Sequence, residues 1–402
     1  MEIIDNTYPF LRLKDFNPYE LFKNIKTPAY IIDEKSLIEN GKILKQIETD
    51  TKAKILLALK CFSNFDLFPI MEKYLSGTEA SGLFEARLGK EEMPGKEVHV
   101  FNAAYREDEF DEILKYADHI IFNSVNQLKK FGKLAKENGK EIGIRINPEI
   151  STQKGPEIYD PCSKGSRLGI TLDQFEREMN QDLINMLDGI HFHTLCQQNS
   201  SDLEITLKEV DKKFSKYFKN IKWINFGGGH HITRYDYDIP LLKKCIKYAQ
   251  DKWNVDVYLE PGEGVVLNCG FLLTKVLDKF RSNNQDFIIT DTSAACHMPD
   301  VVEMPYKPPL YKADLPFNKK NARLGGPTCL SGDIIGDYKF YELPNVNDLL
   351  IFGDMALYTT VKNNTFNGMA LPDIYILKEN NKIEKLTNFG YYDFKYRLGK
   401  TR

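Results

Sequence analysis

The sequence predicts an α/β protein: a (β/α)8 barrel over residues 28–265 with a C-terminal β domain behind it. Three observations predict this architecture. Short apolar or β-branched runs alternate with amphipathic helical stretches over most of the first 265 residues. The units number close to eight, which suits a closed ring of parallel strands better than an open sheet. Beyond residue 265 the texture changes to strand-like runs separated by Pro, Asn and Gly, with few helical windows.

The expected strands are AYIID (29–33), KILLAL (54–59), TEAS (78–81), EVHVF (97–101), HIIFN (119–123), IGIRIN (142–147), GIHFHT (189–194), WINFGG (223–228) and VYLEPG (257–262). Stretches such as SLIENGKILKQIE, LFEARLGKE, EFDEILKYA and VNQLKKFGKLAKENG repeat apolar residues at helical spacing between them. In the tail, FLLTKVLDKF, DFIITDT, DYKFYEL, DLLIFG, ALYTT, DIYILKE and KIEKLT read as strands. Residues 266–402, completed by 1–27, are expected to form the β-rich domain. No low-complexity linker separates it from the barrel.

A chain of 402 residues exceeds what one hydrophobic core supports, in keeping with two domains. The 57 acids and 54 bases leave a net charge of −3, so neither a nucleic acid nor a membrane is an expected partner. The opening MEIIDNTYPFLRLKDF has no signal-peptide pattern, and no run approaches the ~18 apolar residues of a membrane span. A soluble, cytoplasmic protein is expected. Cysteines at 61, 162, 196, 245, 269, 296 and 329 are odd in number and form no CxxC pair, which argues for free thiols over disulfides or structural zinc.

The chemistry gathers at strand ends. Lys60 closes the apolar run KILLALKCF. A lysine carried into a packed interior loses hydration and is driven toward its neutral, nucleophilic form, able to condense with an aldehyde; the alternative is a side chain that snorkels out to water. His193 in GIHFHT, Gly227, Gly228 and Gly229 after WINF, and Glu260 in VYLEPGEG fall at the carboxyl ends of other strands. In a barrel those ends share one mouth. The glycine triplet lets backbone N–H groups approach an anion, and a helix start behind it would help; a tight strand-to-helix turn explains it equally. Glu260, if buried, needs a cationic or protonated partner. Pyridoxal 5′-phosphate satisfies these groups together: aldehyde on Lys60, phosphate on the glycine turn, pyridinium N–H on Glu260, and His193 stacked on the ring.

These motifs resemble the alanine-racemase-fold, ornithine-decarboxylase-like family of pyridoxal-phosphate decarboxylases (fold type III). The resemblance runs from PAYIID to ALYTT in the family's order: ALKCF, HFHT, GGGH, EPGE, GPTC, ALYT. LGGPTCLSGD, His-Met-Pro-Asp at 297–300 and HFHTLCQQ are most similar to members that decarboxylate carboxynorspermidine and carboxyspermidine in polyamine biosynthesis. The resemblance implies a homodimer in which Cys329 and Asp333 enter the neighbouring subunit's site. It also implies that Tyr358 reaches the phosphate and that Arg145 lies near the cofactor ring. One departure stands out: relatives carry arginine as the fourth residue of EPGR, where this chain has Glu263. An anion cannot repeat a phosphate contact, so Glu263 either turns away or faces a cationic substrate.

The implied reaction is loss of a substrate α-carboxylate as carbon dioxide, with Lys60 and Glu260 serving the cofactor and Cys329 returning a proton to the α-carbon; a merely structural thiol is the alternative for Cys329. Asp300, Asp333, Glu263 and Glu303 are the acids available for a polyamine's distal amines, each equally readable as a solvated surface carboxylate. Diaminopimelate is the nearest rival substrate, with Arg323 and Arg167 available for its second carboxylate. A racemase of this fold would use a tyrosine where this chain has GPTC. A different class of reading is a metal-dependent barrel hydrolase built on His191 and His193, with His230, His231 or His297 as further ligands.

Overall fold

A computed structural model describes residues 8–400 of the chain. The chain divides into two compact units, one of residues Glu39–Val265 and one combining the chain up to Ile38 with that from Val266 onward.

The first strand, β1 (Ala29–Asp33), pairs antiparallel with β10 (Gly270–Ser282) and parallel with a strand near residue 375, so it belongs to the mixed sheet. This corrects the expected barrel boundary at residue 28. All five of its residues are buried, as in a barrel strand, and periodicity cannot tell two equally covered sheets apart.

The barrel consists of β2 (Lys54–Ala58), β3 (Gly77–Ala80), β4 (Glu97–Phe101), β5 (His119–Phe122), β6 (Glu141–Arg145), β7 (Gly189–His191), β8 (Trp223–Asn225) and β9 (Asp256–Leu259). Each pairs in parallel with the next, and β2 meets β9 through Lys54↔Tyr258 and Ile55↔Leu259 to close the ring. Helices between strands are capped by side chains: Ser124 accepts from Gln127 N, Thr171 from Gln174 N and Asp238 from Leu241 N.

Inside the barrel, Leu56, Phe101, Ile121, Trp223 and Tyr258 form one buried cluster. The Trp223 indole is accommodated because its neighbours have no side chain. A Cβ on Gly189 would stand 2.1 Å from the Trp223 ring and one on Gly143 2.4 Å.

The second unit carries the sheet ordered β13-β12-β11-β10-β1-β15-β16, with β14 paired to β10. Its remaining strands are β11 (Gln285–Thr290), β12 (Lys320–Gly325), β13 (Ile334–Phe340), β14 (Leu349–Gly353), β15 (Asp373–Leu377) and β16 (Ile383–Thr387). Phe10, Leu13, Phe22 and Ile25, from the chain before β1, pack with Ala29, Ile31, Phe271, Leu273, Ile351 and Leu377. Residues 1–7 of the expected 1–27 segment lie outside the described residues.

Two tail readings are corrected. The strand β12 was not read from the sequence, because Asn321 and Arg323 break its apolar run. ALYTT is not a strand: Tyr358 takes a left-handed backbone (φ 54°) and Thr359–Lys362 forms a helical turn. No helix among the described residues is long and apolar enough to cross a membrane.

The contact between Trp223 and the two glycines yields a test. Gly189→Ala should lower unfolding free energy by about 1–3 kcal/mol in urea titrations, the range for overpacking a filled core. Gly155→Ala, whose new methyl would come no closer than 3.7 Å to a neighbour, should stay within about 0.5 kcal/mol of the parent.

Candidate active site

Strand ends of the barrel unit bring together Lys60, Glu79, Arg145, His191, His193, Asn225, the glycine turn and Glu260. Lys60 follows β2 with its side chain 37% exposed, so of the two alternatives the sequence left open the structure shows the one that reaches water, at the open mouth. The strand ends at Ala58, one residue before the apolar run does: Leu59 is buried, Lys60 is not. Its Nζ lies 3.7 Å from Oε2 of Glu79, which projects from β3 and is 1% exposed. Burial raises the Glu79 carboxyl, Lys60 opposes the shift, and Glu260 and Glu85 add to it. Glu79 Oε2 has no hydrogen-bond partner among the described residues.

Glu260 follows β9 and is equally buried, yet each of its oxygens has a side-chain partner. Oε1 accepts from Asn225 Nδ2 at 2.6 Å, and Oε2 lies 3.1 Å from His191 Nε2. Burial works to raise this carboxyl too, but His191 and then Lys60 outweigh it, and the group is held below its ordinary value. The partner that the sequence reading required for Glu260 is thus already supplied by protein side chains.

Arg145 ends β6, 4% exposed, donating from Nη2 to the His193 carbonyl at 3.2 Å, with its guanidinium 4.7 Å from the centre of the Phe101 ring. Burial lowers its pKa to about 10, which leaves it cationic at neutral pH. His193 Nδ1 accepts from Gly228 N at 3.3 Å. Burial first, then Lys60 and Arg145, lower its pKa well below the usual imidazole value, so the ring is neutral.

The glycine turn serves packing and leaves donors free. A Cβ on Gly227 would lie 2.5 Å from Phe192 O, on Gly228 2.6 Å from Glu260 O, and on Gly229 1.9 Å from Leu195 O. Gly227 and Gly229 also take positive φ, 68° and 81°. Gly227 N donates to Asn225 Oδ1 at 2.8 Å, while the amides of Gly229 and His230 have no acceptor among the described residues. The next helix begins only at Ile239, so the anion-binding potential lies in these amides.

Glu263 neither turns away nor stands open to a cation. Its Oε2 lies 3.2 Å from His231 Nε2 and its Oε1 accepts from Gln197 Nε2 at 3.1 Å.

The remaining predicted residues belong to the other unit. Cys329 is exposed, on a loop anchored by its own N donating to Asn367 Oδ1 at 3.1 Å. Asp333 is 3% exposed and accepts from Ser293 Oγ, Ala295 N, and Thr328 N and Oγ1 at 2.6–3.3 Å. That saturation corrects its expected place among the substrate-binding acids: it holds the loop that carries Cys329. Asp300 and Glu303 share the Lys362 ammonium. Arg323 makes a two-pronged bond to Asp337 at 2.7 and 2.8 Å, so its fork is already taken and it is not free for a substrate carboxylate. Tyr358 precedes the helical turn Thr359–Lys362.

The metal-site histidines do not converge. His191 is on Glu260, His230 Nε2 on Phe226 O, His231 beside Glu263, and His297, in the other unit, on Ala370 O. Glu97, His99 and His119, at the amino-terminal side of β4 and β5, do lie close enough together to share an ion. There Lys54 Nζ already bonds Glu97 and Tyr258 Oη.

Glu79, Asn225 and the role of His191 were missed from sequence. A carboxylate inside a strand buried at all four positions was the available signal for Glu79.

A family model described as "Pyridoxal-dependent decarboxylase, C-terminal sheet domain" matches residues 29–356. The carboxynorspermidine/carboxyspermidine decarboxylase of Campylobacter jejuni subsp. jejuni serotype O:6 is 40% identical over 388 residues, covering 94% of this chain and 99% of the relative. The carboxyaminopropylagmatine decarboxylase of Synechocystis sp. is 37% identical, covering 94% of this chain and 96% of its own length. The crystal structure of carboxynorspermidine decarboxylase from Campylobacter jejuni, complexed with norspermidine, superposes with a TM-score of 0.84 at 38% identity, over 93% of this chain and 100% of that one.

The raised Glu79 carboxyl carries a pH signature. Its folded pKa lies above its unfolded one, so its contribution is fully present below the ordinary carboxyl value and is lost as pH rises through the folded value. Between about pH 5 and about pH 9, the urea midpoint of cofactor-free protein should therefore fall relative to that of Glu79→Gln. Parallel curves for the two proteins would show that Glu79 is ordinary.

Proposed function

Given that the chain belongs to the family of pyridoxal-dependent decarboxylases, we propose that it decarboxylates a carboxylated polyamine, carboxynorspermidine or carboxyspermidine, to norspermidine or spermidine. The observation that carries the reading is the barrel mouth, where an amine at Lys60, a carboxylate fixed by two donors at Glu260 and two unclaimed backbone amides at Gly229 and His230 stand on neighbouring strand ends. The named relatives supply the substrate class.

Those residues fit pyridoxal 5′-phosphate. Lys60 would hold its aldehyde, the amides of the glycine turn its phosphate, His193 one face of its ring, and Glu260 its ring nitrogen. Tyr358 is a second phosphate ligand in this reading. Bound there, the cofactor supplies an electron-accepting ring next to the substrate's α-carbon. Glu79 balances the Lys60 ammonium whenever that amine is free. Arg145 stays cationic and fixes the His193 backbone, which keeps the imidazole in place.

For a long cationic substrate the protein needs acids, and Asp300 and Glu303 already bind an alkylammonium, that of Lys362. A polyamine presents the same group. Cys329 of the partner subunit is the proposed proton donor to the α-carbon, in a homodimer whose sites both subunits complete. Its exposure in the single chain leaves the thiol available for that role.

A second reading, a substrate ending in a guanidinium, is favoured by the Synechocystis relative. Carbon dioxide release should separate the two on a panel of carboxynorspermidine, carboxyspermidine, carboxyaminopropylagmatine, diaminopimelate and ornithine. Release from the first two, at least about tenfold faster in kcat/KM than from the others, is expected. Release from diaminopimelate alone would overturn the substrate class.

Borohydride should trap cofactor on Lys60, and Lys60→Ala should lose both the trapped label and turnover. Cys329→Ala should bind cofactor normally while losing about 100-fold or more in kcat, the scale of one acid–base group; an unchanged kcat would remove Cys329 from the chemistry.

A further inference from the structure

Two carboxylates sit at the barrel mouth, equally buried, with opposite acidities. Glu79, whose Oε2 has no hydrogen bond among the described residues, is raised by burial. Glu260, with Asn225 on one oxygen and His191 on the other, is lowered in spite of burial. The two sites differ in their donors: Glu260 has one on each oxygen, while Glu79 Oε2 has none among the described residues.

His191 is built as a dedicated donor. It is 1% exposed, and its Nδ1 has no hydrogen-bond partner among the described residues, so its one side-chain hydrogen bond is Nε2 to Glu260. Burial, first, pushes its pKa down, so the ring is neutral and the proton it keeps is the one on Nε2 that faces the carboxylate. Phe101 stacks on it at 5.5 Å and 13°, and Arg145 lies over the same Phe101 ring, which fixes the imidazole plane. Each Glu260 oxygen retains a lone pair for a further donor.

We infer that His191 is a positioning residue for the proposed decarboxylation: together with Asn225 it makes Glu260 a weak base, so that a proton shared between Glu260 and the ring nitrogen of bound cofactor stays on the nitrogen. The inference rests on the function proposed above. Without the Nε2–H donor, burial meets less opposition at Glu260, where Asn225 and Lys60 remain. The carboxylate gains basicity and draws the proton off the ring, which then loses its charge and its capacity to accept electrons. The first histidine of the H-x-H pair thus has a task distinct from that of His193.

The test uses holoenzyme loaded with pyridoxal phosphate carrying an isotope label on the ring nitrogen, read by NMR and by steady-state kinetics. In the parent protein the nitrogen should be protonated. In His191→Phe the signal should move toward the unprotonated position, with kcat down about tenfold to 100-fold and KM within about twofold, as expected for one lost charge-assisted hydrogen bond. His191→Gln, which keeps an N–H donor, should recover most of both. If the phenylalanine variant does not fold, Asn225→Ala should displace the signal in the same direction. A parent-like nitrogen signal in His191→Phe, with cofactor still trapped on Lys60, overturns this inference alone. A protein that takes up no pyridoxal phosphate overturns the proposed function with it.

Discussion

Closure of the barrel between β2 and β9 is the constraint on which the site depends. The register Ile55↔Leu259 sets the two strands side by side, so the strand that Lys60 follows lies next to the one that Glu260 follows although the whole barrel sequence separates them. Parallel pairing around the ring then turns the carboxyl ends of β3, β6, β7 and β8 to the same side, which delivers Glu79, Arg145, His191 and Asn225 to one mouth. Trp223 makes the ring close tightly: its indole occupies the space that side chains at positions 143 and 189 would otherwise claim. A packed floor of this kind keeps the polar groups above it from relaxing away from one another.

On that floor the protein sets two buried carboxylates against two cations. Arg145 and Lys60 supply the positive charge, and three histidines, at 191, 193 and 230, are kept neutral by burial before any other cause. Neutral imidazoles can donate or accept without adding charge, so they serve the backbone and Glu260 while the ionic balance stays with the lysine, the arginine and the acids. The different treatment of Glu79 and Glu260 follows from this. One carboxylate is left able to take a proton beside the amine, and the other is held as a stable anion facing a fixed direction.

Much of this was legible in the residues. The eight barrel strands, and Lys60, His193, the glycine turn and Glu260 at their ends, follow from apolar runs interrupted by chemically costly residues. The signal failed wherever a residue's role is decided by what packs on it. Strand β1 is buried at every position, so nothing in its sequence says which sheet buries it. ALYTT has strand composition but must turn at Tyr358. The family resemblance of its segment points to Asp333 as a substrate acid, whereas Ser293 and Thr328, one of them distant in sequence, enclose it. Glu79 and Asn225 lie in runs read only as strand, and their importance appears only when the neighbouring strand ends arrive. Lys60 reads either as carried into the interior or as reaching out to water, and the run before it cannot decide; the structure leaves its side chain 37% exposed at the mouth.

Glu263 shows how a local departure is absorbed. A carboxylate placed where relatives carry a phosphate-binding arginine would repel a phosphate if it faced one bare. Here Gln197 donates to one of its oxygens and His231 lies against the other, and both neighbours come from the loops that frame the glycine turn. Gln197 itself takes a left-handed backbone to reach that position, a conformation uncommon outside glycine and asparagine. Hydrogen-bonded to Gln197 and lying against His231, Glu263 ties the turn after β7 to the turn after β8, beside the amides at Gly229 and His230 that have no acceptor among the described residues.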